Sequence, residues 1–122
     1  MKMISKMMLL LVAFGLTACG SKYPPPDSQI SLANSAISKA ESAGAYEAAP
    51  VELKAAREKI NEAKRLMQLE DNLSAQRVAE QAIVDANLAE AKARTAKSHK
   101  AVNEVKESIR TLQEEIDRKS VR

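Results

Sequence analysis

The sequence predicts an all-α protein, either an antiparallel helical hairpin or a small three-helix bundle, with a long, coiled-coil-like C-terminal helix. Three observations predict it. From Leu73 to about Lys119 there is neither proline nor glycine. Alanine recurs within that stretch at 75, 79, 82, 86, 89, 93 and 96, a 4-3 alternation that lines one side of a helix turning about 100° per residue. Upstream, two shorter segments, one stopping at Gly44 and one starting at Pro50, carry apolar residues on the same helical spacing.

The first helix is expected over about 28–43. Asp27 or Ser28 can cap it, Ile30, Ala33, Ile37 and Ala40 form its apolar face, and Gly44 suits its C-terminus. The second is expected over about 50–69. Pro50 fits its first turn, where a missing N–H costs nothing, and Leu53, Ala56, Ile60, Ala63 and Met67 repeat 3-4-3-4. Leu69 to Asn72 reads as a short turn, with Asp71 or Asn72 capping the third helix over about 72–119. At about 1.5 Å per residue that helix is roughly 70 Å long.

The long helix has two apolar faces. The alanine strip is expected to meet the second helix in a hairpin, with the first helix laid in the groove to complete a bundle. Most of half a turn away runs a strip of Leu73, Val84, Leu88 and Ala91, continued by Val102, Val105, Ile109, Leu112 and Ile116. If the first helix runs parallel to the third, the bundle covers the long helix only to about residue 94. Val102, Val105, Ile109, Leu112 and Ile116 are then a candidate interface for an envelope protein or for self-association. Their β-branched a-type positions with Leu112 at a d-type one favour parallel pairing of two strands. The alternative is a first helix that swings in line with the second and covers this stripe itself.

Ahead of the helical part, Lys2 and Lys6 precede an apolar run from Met7 to Leu16, too short to span a bilayer and typical of a secretion signal over 1–18. Leu16-Thr17-Ala18, followed by Cys19 and Gly20, resembles the bacterial lipobox. That resemblance implies cleavage before Cys19, a diacylglyceryl group on its sulfur and a further acyl chain, such as palmitate, on its amine. A free thiol at Cys19 within an ordinary signal peptide is the other reading. Stable anchoring needs at least two chains, which this modification supplies. Gly20 stands where the resemblance would put an aspartate for inner-membrane retention, which implies the outer membrane, facing the periplasm. Residues 19–27 form the anchor and linker, in which Pro24-Pro25-Pro26 favours a stiff, extended spacer, and 28–122 form the helical domain.

Composition excludes several functions. Cleavage before Cys19 would remove Lys2, Lys6 and Phe14, which leaves a nearly neutral chain whose aromatics are Tyr23 and Tyr46, so nucleic acid is not an expected ligand. Cys19 and His99 are the only cysteine and histidine. Ser98 and His99 are neighbours on a helix and point about 100° apart, which is no nucleophile and base pair. No catalytic, cofactor-binding or metal-ligating set is expected, and hence no enzyme. Between Glu90 and Glu104 the charged residues are all basic, a solvated helix face or a weak contact for anionic lipid or peptidoglycan.

The stretch from Gly44 to Lys59, with its Tyr46-Glu47-Ala48-Ala49-Pro50 lead-in, and "AEQAIVDANLAEAKARTAK" at 79–97 resemble the small bacterial lipoproteins of the domain of unknown function family 4398, over roughly residues 30 to 100. The resemblance implies a helical periplasmic domain on a lipid anchor and brings no catalytic residues. The expected function is therefore that of a non-enzymatic, lipid-anchored envelope protein acting by helix-mediated contact, as a scaffold or accessory subunit. The alternative is a tether between outer membrane and peptidoglycan like the murein lipoprotein, whose family ends in a lysine bonded to peptidoglycan. Here the last residues read Lys119-Ser120-Val121-Arg122.

Overall fold

The computed structural model describes residues 23–121. They form four helices, α1 (Asp27–Ser42), α2 (Ala45–Ala48), α3 (Pro50–Gln68) and α4 (Asn72–Ser120), and no strand among the described residues. Where the sequence placed three helices the structure has α1, α3 and α4, with ends shifted by a residue or so. The first begins earlier than its expected caps. Pro26 is its N-cap and offers no side-chain acceptor, while Asp27 sits in the first turn. There its carboxylate faces the positive end of the helix dipole, and the Pro26 carbonyl accepts from the Ile30 N–H at 3.0 Å.

The corner between α1 and α3 contains an element that the sequence reading left out, the single turn α2. Gly44 makes it possible. Its φ of +94° lies in the left-handed region, which costs an L side chain about 1–2 kcal/mol. A Cβ built there would meet nothing within 4 Å, so backbone conformation alone reserves the site for glycine. The Gly44 N–H closes α1 on the Glu41 carbonyl at 3.0 Å.

The turn between α3 and α4 closes by hydrogen bonds of the Schellman pattern. The Glu70 N–H donates to the Met67 carbonyl and the Asp71 N–H to the Leu66 carbonyl, each at 3.0 Å. Glu70 takes the left-handed position, at φ +59°, that glycine usually fills. Asp71 then caps α4 by accepting from the Ser74 N–H at 3.2 Å.

Two ion pairs fix how α3 and α4 lie. Lys59 Nζ meets Asp85 Oδ2 at 2.6 Å, and Lys92 pairs with Glu52. Two turns forward on α3 correspond to two turns back on α4, so the helices are antiparallel. α1 runs the other way. Its leading segment joins the start of α4, where Asn72 Nδ2 donates to the Tyr23 carbonyl at 2.7 Å. Its last turn, around Ser38 and Ser42, lies against Glu90, Arg94 and Lys97. It is therefore parallel to α4 and beside α3, not in line with it, and the arrangement that would have covered the stripe is not the one adopted.

The core is a seam of small residues. Ala75, Ala79, Ala82, Ala86, Ala89 and Ala93 of α4 are buried against Leu53, Ala56, Ile60 and Ala63 of α3 and against Ala33, Ala36, Ile37 and Ala40 of α1. Ala45 and Ala49 close the corner. No polar or charged residue is buried among the described residues. Three expected members fall short. Ile30 and Met67 are only partly buried, and Ala96 is exposed because the seam stops where α1 and α3 stop. Pro26, expected in an extended spacer, is instead buried, and Tyr23 to Pro25 lie beside Met67 and Asn72.

With alanines facing one another, helix axes approach toward the short end of the usual range of about 8–10 Å, and no slack remains for a larger side chain. Ala86→Leu should therefore destabilise by about 1–3 kcal/mol, lowering the melting temperature by at least about 4 °C for a domain of this size. Ala96→Leu, in the same strip but past the end of the bundle, should leave it unchanged. Equal melting of the two variants would show that the seam is loosely packed.

Candidate functional site

Several charged clusters among the described residues tie the helices together. Arg57 of α3 donates from Nε to Glu41 Oε1 of α1 at 3.1 Å and from its terminal nitrogen to the same oxygen at 2.5 Å. It also donates to the Tyr46 hydroxyl, and its guanidinium carbon lies 4.9 Å from the centre of that ring. One side chain thus ties α1, α2 and α3 together at the corner. Its contacts with Glu41 first, then Tyr46, hold the guanidinium even more firmly charged than usual. Glu52 lies below the ordinary carboxylate range, chiefly through its hydrogen bond with Lys92. Glu62 beside Arg65 and Glu107 beside Arg110 are lowered for the same reason. Each of these carboxylates has its cation next to it, so none is poised to take up a proton near neutral pH.

No three of the His, Cys, Asp and Glu side chains among the described residues converge to hold a metal ion. An open groove between the end of α1 and residues 90–101 of α4 carries Lys39, Arg94 and Lys97, the centre of the basic run noted in the sequence. Arg94 is drawn back onto Glu90, at 2.6 Å. Among the described residues no helix is long and apolar enough to cross a membrane. Leu16, Thr17, Ala18 and Cys19, the residues of the lipobox resemblance, lie outside the described residues.

The surface feature left unaccounted for is on α4. Every residue from Arg94 to Val121 is exposed, so the part of α4 from Arg94 to Ser120, roughly 40 Å of helix, extends beyond the bundle. The five residues of the candidate interface lie here. Val102 and Ile109 are each 50% exposed, and Val105, Leu112 and Ile116 more so. Along one face they leave a row of branched side chains open to solvent.

The row is also longer than those five. Val84 and Leu88, within the bundled part of α4, are 65% and 47% exposed, because α1 and α3 sit on the alanine side of the helix. The sequence reading assigned both to this strip but left open whether the first helix would cover it. That was a question of tertiary packing, which periodicity along one helix cannot decide.

Ion pairs line the charged side of the projecting part. Arg110 bridges Glu107 and Glu114, and Lys119 meets Glu115 at 3.1 Å, all at spacings of three or four residues that put the partners on one side of the helix. The stripe between them stays free of charge.

Residues 28–105 match the model of the family described as Domain of unknown function (DUF4398). The match covers more than half of the chain, and the chain belongs to that family. It takes in the whole bundle, the corner built by Gly44, Tyr46 and Arg57, and the start of the projection. Ile109, Leu112 and Ile116 lie beyond it. No curated protein and no solved structure matches the chain.

Proposed function

We propose that this member of the DUF4398 family is a non-enzymatic, lipid-anchored protein of the bacterial outer membrane that works by helix-mediated protein contact, as a scaffold or accessory subunit. The observation that carries the reading is the stripe of Val102, Val105, Ile109, Leu112 and Ile116, solvent-exposed along a helix that leaves the bundle. An ordered row of branched side chains in water is costly unless something covers it. Nothing in the fold needs the row, since the seam that holds the bundle lies on another face.

The direction of the chain supports the anchor. Tyr23, at the start of the described part, is bonded to Asn72 at the foot of α4, and the stripe lies toward the other end of the same helix. A lipid on Cys19 would hold the foot near a membrane and point the stripe away from it. A linker and a helix of about 73 Å would then present the contact surface deep in the periplasm. The lipid itself rests on the resemblance of Leu16 to Gly20 to the lipobox. Intact mass of protein extracted from membranes should correspond to a chain beginning at Cys19 with added acyl groups, and retention of Met1 would overturn that part of the reading.

The contact is tested with Ile109→Ser combined with Leu112→Ser. Both side chains are at least half exposed, so the double variant should keep the cooperative melting of the bundle while losing the species that the unaltered chain forms on chemical cross-linking in cells. Loss of cooperative melting would assign the stripe to the core, and persistence of the cross-linked species would place the contact elsewhere.

A further inference from the structure

We infer that the occupant of the stripe is a second copy of this chain, paired parallel and in register along α4 from Val84 to Ile116. The inference rests on the reading of the stripe as a contact surface and names what fills it. Three observations lead to it: the unbroken heptad register, the angular separation of stripe and bundle, and the charges that flank the stripe.

Val84, Leu88, Ala91, Thr95, Ser98, Val102, Val105, Ile109, Leu112 and Ile116 follow one another at 4-3 spacing without a skip, and none of them is buried in the monomer. This is the a/d seam of a coiled coil. It begins alongside the bundle, passes the point where α1 and α3 end, and continues into the projection. At about 100° per residue its centre lies about 150° from that of the alanine seam. A helix laid on the stripe therefore lies away from the alanine-lined faces of α1 and α3 and meets α3 only at its rim, where Lys59 borders Val84, so that the bulk of the two bundles of a dimer faces outward. The strip is about 48 Å long and about one helix diameter, or 10 Å, wide. Two such faces bury on the order of 1,000 Å², at the lower edge of what a specific interface requires.

The flanking residues choose the direction. In a parallel, in-register pair each g position faces the e position that follows it on the second copy. Asn87 then faces Lys92, Arg94 faces His99, Ala101 faces Lys106, Ser108 faces Gln113 and Glu115 faces Ser120, so from Asn87 onward no two carboxylates and no two Lys or Arg side chains are set together. At the first layer of the seam Glu80 does meet Asp85 of the second copy, a like-charge pair offset by Lys59, which holds the Asp85 carboxylate at 2.6 Å. In the antiparallel pair of full overlap Lys92 faces Lys106 of the second copy, and does so twice, with Glu52 the offset at each end. That arrangement also sets Thr95 and Ser98 against Val105 and Val102, whereas the parallel one stacks the two polar positions on themselves. In the projecting part β-branched Val102, Ile109 and Ile116 at a with Leu112 at d fit the two-stranded pattern, although Val84 and Val105 occupy other d positions. Finally, the hydrogen bond of Asn72 to Tyr23 brings both leading segments of a parallel dimer out at one end, where two anchors can share one membrane.

Single cysteines read the arrangement directly in the full chain, in membranes, with mild oxidation and non-reducing electrophoresis. The unaltered chain, whose sole cysteine is Cys19, sets the background. Val84→Cys and Leu112→Cys should each give a disulfide-linked homodimer, since like positions meet across a parallel seam. Lys100→Cys, on the far side of the helix, should not. Coexpressed Val84→Cys and Ile116→Cys chains should give no mixed product, because those positions lie about 48 Å apart in the parallel pair. A mixed Val84–Ile116 disulfide would overturn the parallel register. Absence of homodimer at both 84 and 112 would overturn the second copy as occupant. In that event, loss of a different cross-linked species in the Ile109→Ser, Leu112→Ser variant would leave the stripe standing as a contact surface for another protein, and no such loss would remove that reading as well.

Discussion

Close approach of three helices along a seam of alanines is the constraint on which the rest of this structure depends. Six alanines of α4, each no more than 2% exposed, meet small side chains from α1 and α3. Alanine buries little area, so the seam contributes modestly for each residue, but it leaves no gap between backbones and no room for an interior polar group. The polar work is therefore done at the rim. Lys59 with Asp85, Lys92 with Glu52, and Arg57 with Glu41 and Tyr46 set direction and register, while the alanines set distance. Among the described residues no polar or charged side chain is buried in the seam, and the features it leaves unexplained lie on the helix faces.

The same seam decides where the bundle ends. α4 has 49 residues and α3 has 19, so an antiparallel partner starting at the shared turn can cover less than half of the long helix. α1, running parallel to α4 from the same foot, reaches no further. Past Ala93 every described residue of the helix is exposed, and in proteins most helical stability comes from tertiary packing of one face. What remains are the ion pairs of Arg110 and Lys119, which contribute little individually at an exposed surface. An unsupported helix with a charged side and an uncharged, branched one gains both order and burial by acquiring a neighbour. Length mismatch, seam position and apolar stripe thus form a single causal chain.

Much of this was legible in the sequence because the dominant signal is periodic and local. The spacing of Ala75 to Ala93, the lack of any breaker after Leu73, Gly44 and Pro50 at the corner and Asp71 at the cap each have an effect confined to one helix or one turn. The stripe from Val102 to Ile116 could be read for the same reason. What escaped depended on contacts between segments. Ala45 to Ala48 is too short for periodicity to mark. Pro26 looks like spacer until the chain folds back beside Asn72. Glu70 adopts a left-handed backbone that its side chain does not announce. Arg57 and Tyr46 belong to the stretch that carries the family resemblance, yet their joint hold on Glu41 appears only once α1 and α3 lie side by side. Whether α1 would cover the stripe turned on the path of the chain through that corner, which left-handed Gly44 and the turn after it settle.

The central claim is that α4 is held by the alanine seam up to Ala93 and, beyond it, only by what docks on the stripe. Amide hydrogen exchange along α4, measured at low and at high protein concentration, tests this most directly. Strong protection is expected from Ala75 to Ala93 at both concentrations. From Val102 to Ile116 protection should be weak in dilute solution and rise as the concentration is raised. Strong protection of residues 102–116 at every concentration, or weak protection between 75 and 93, would contradict that claim.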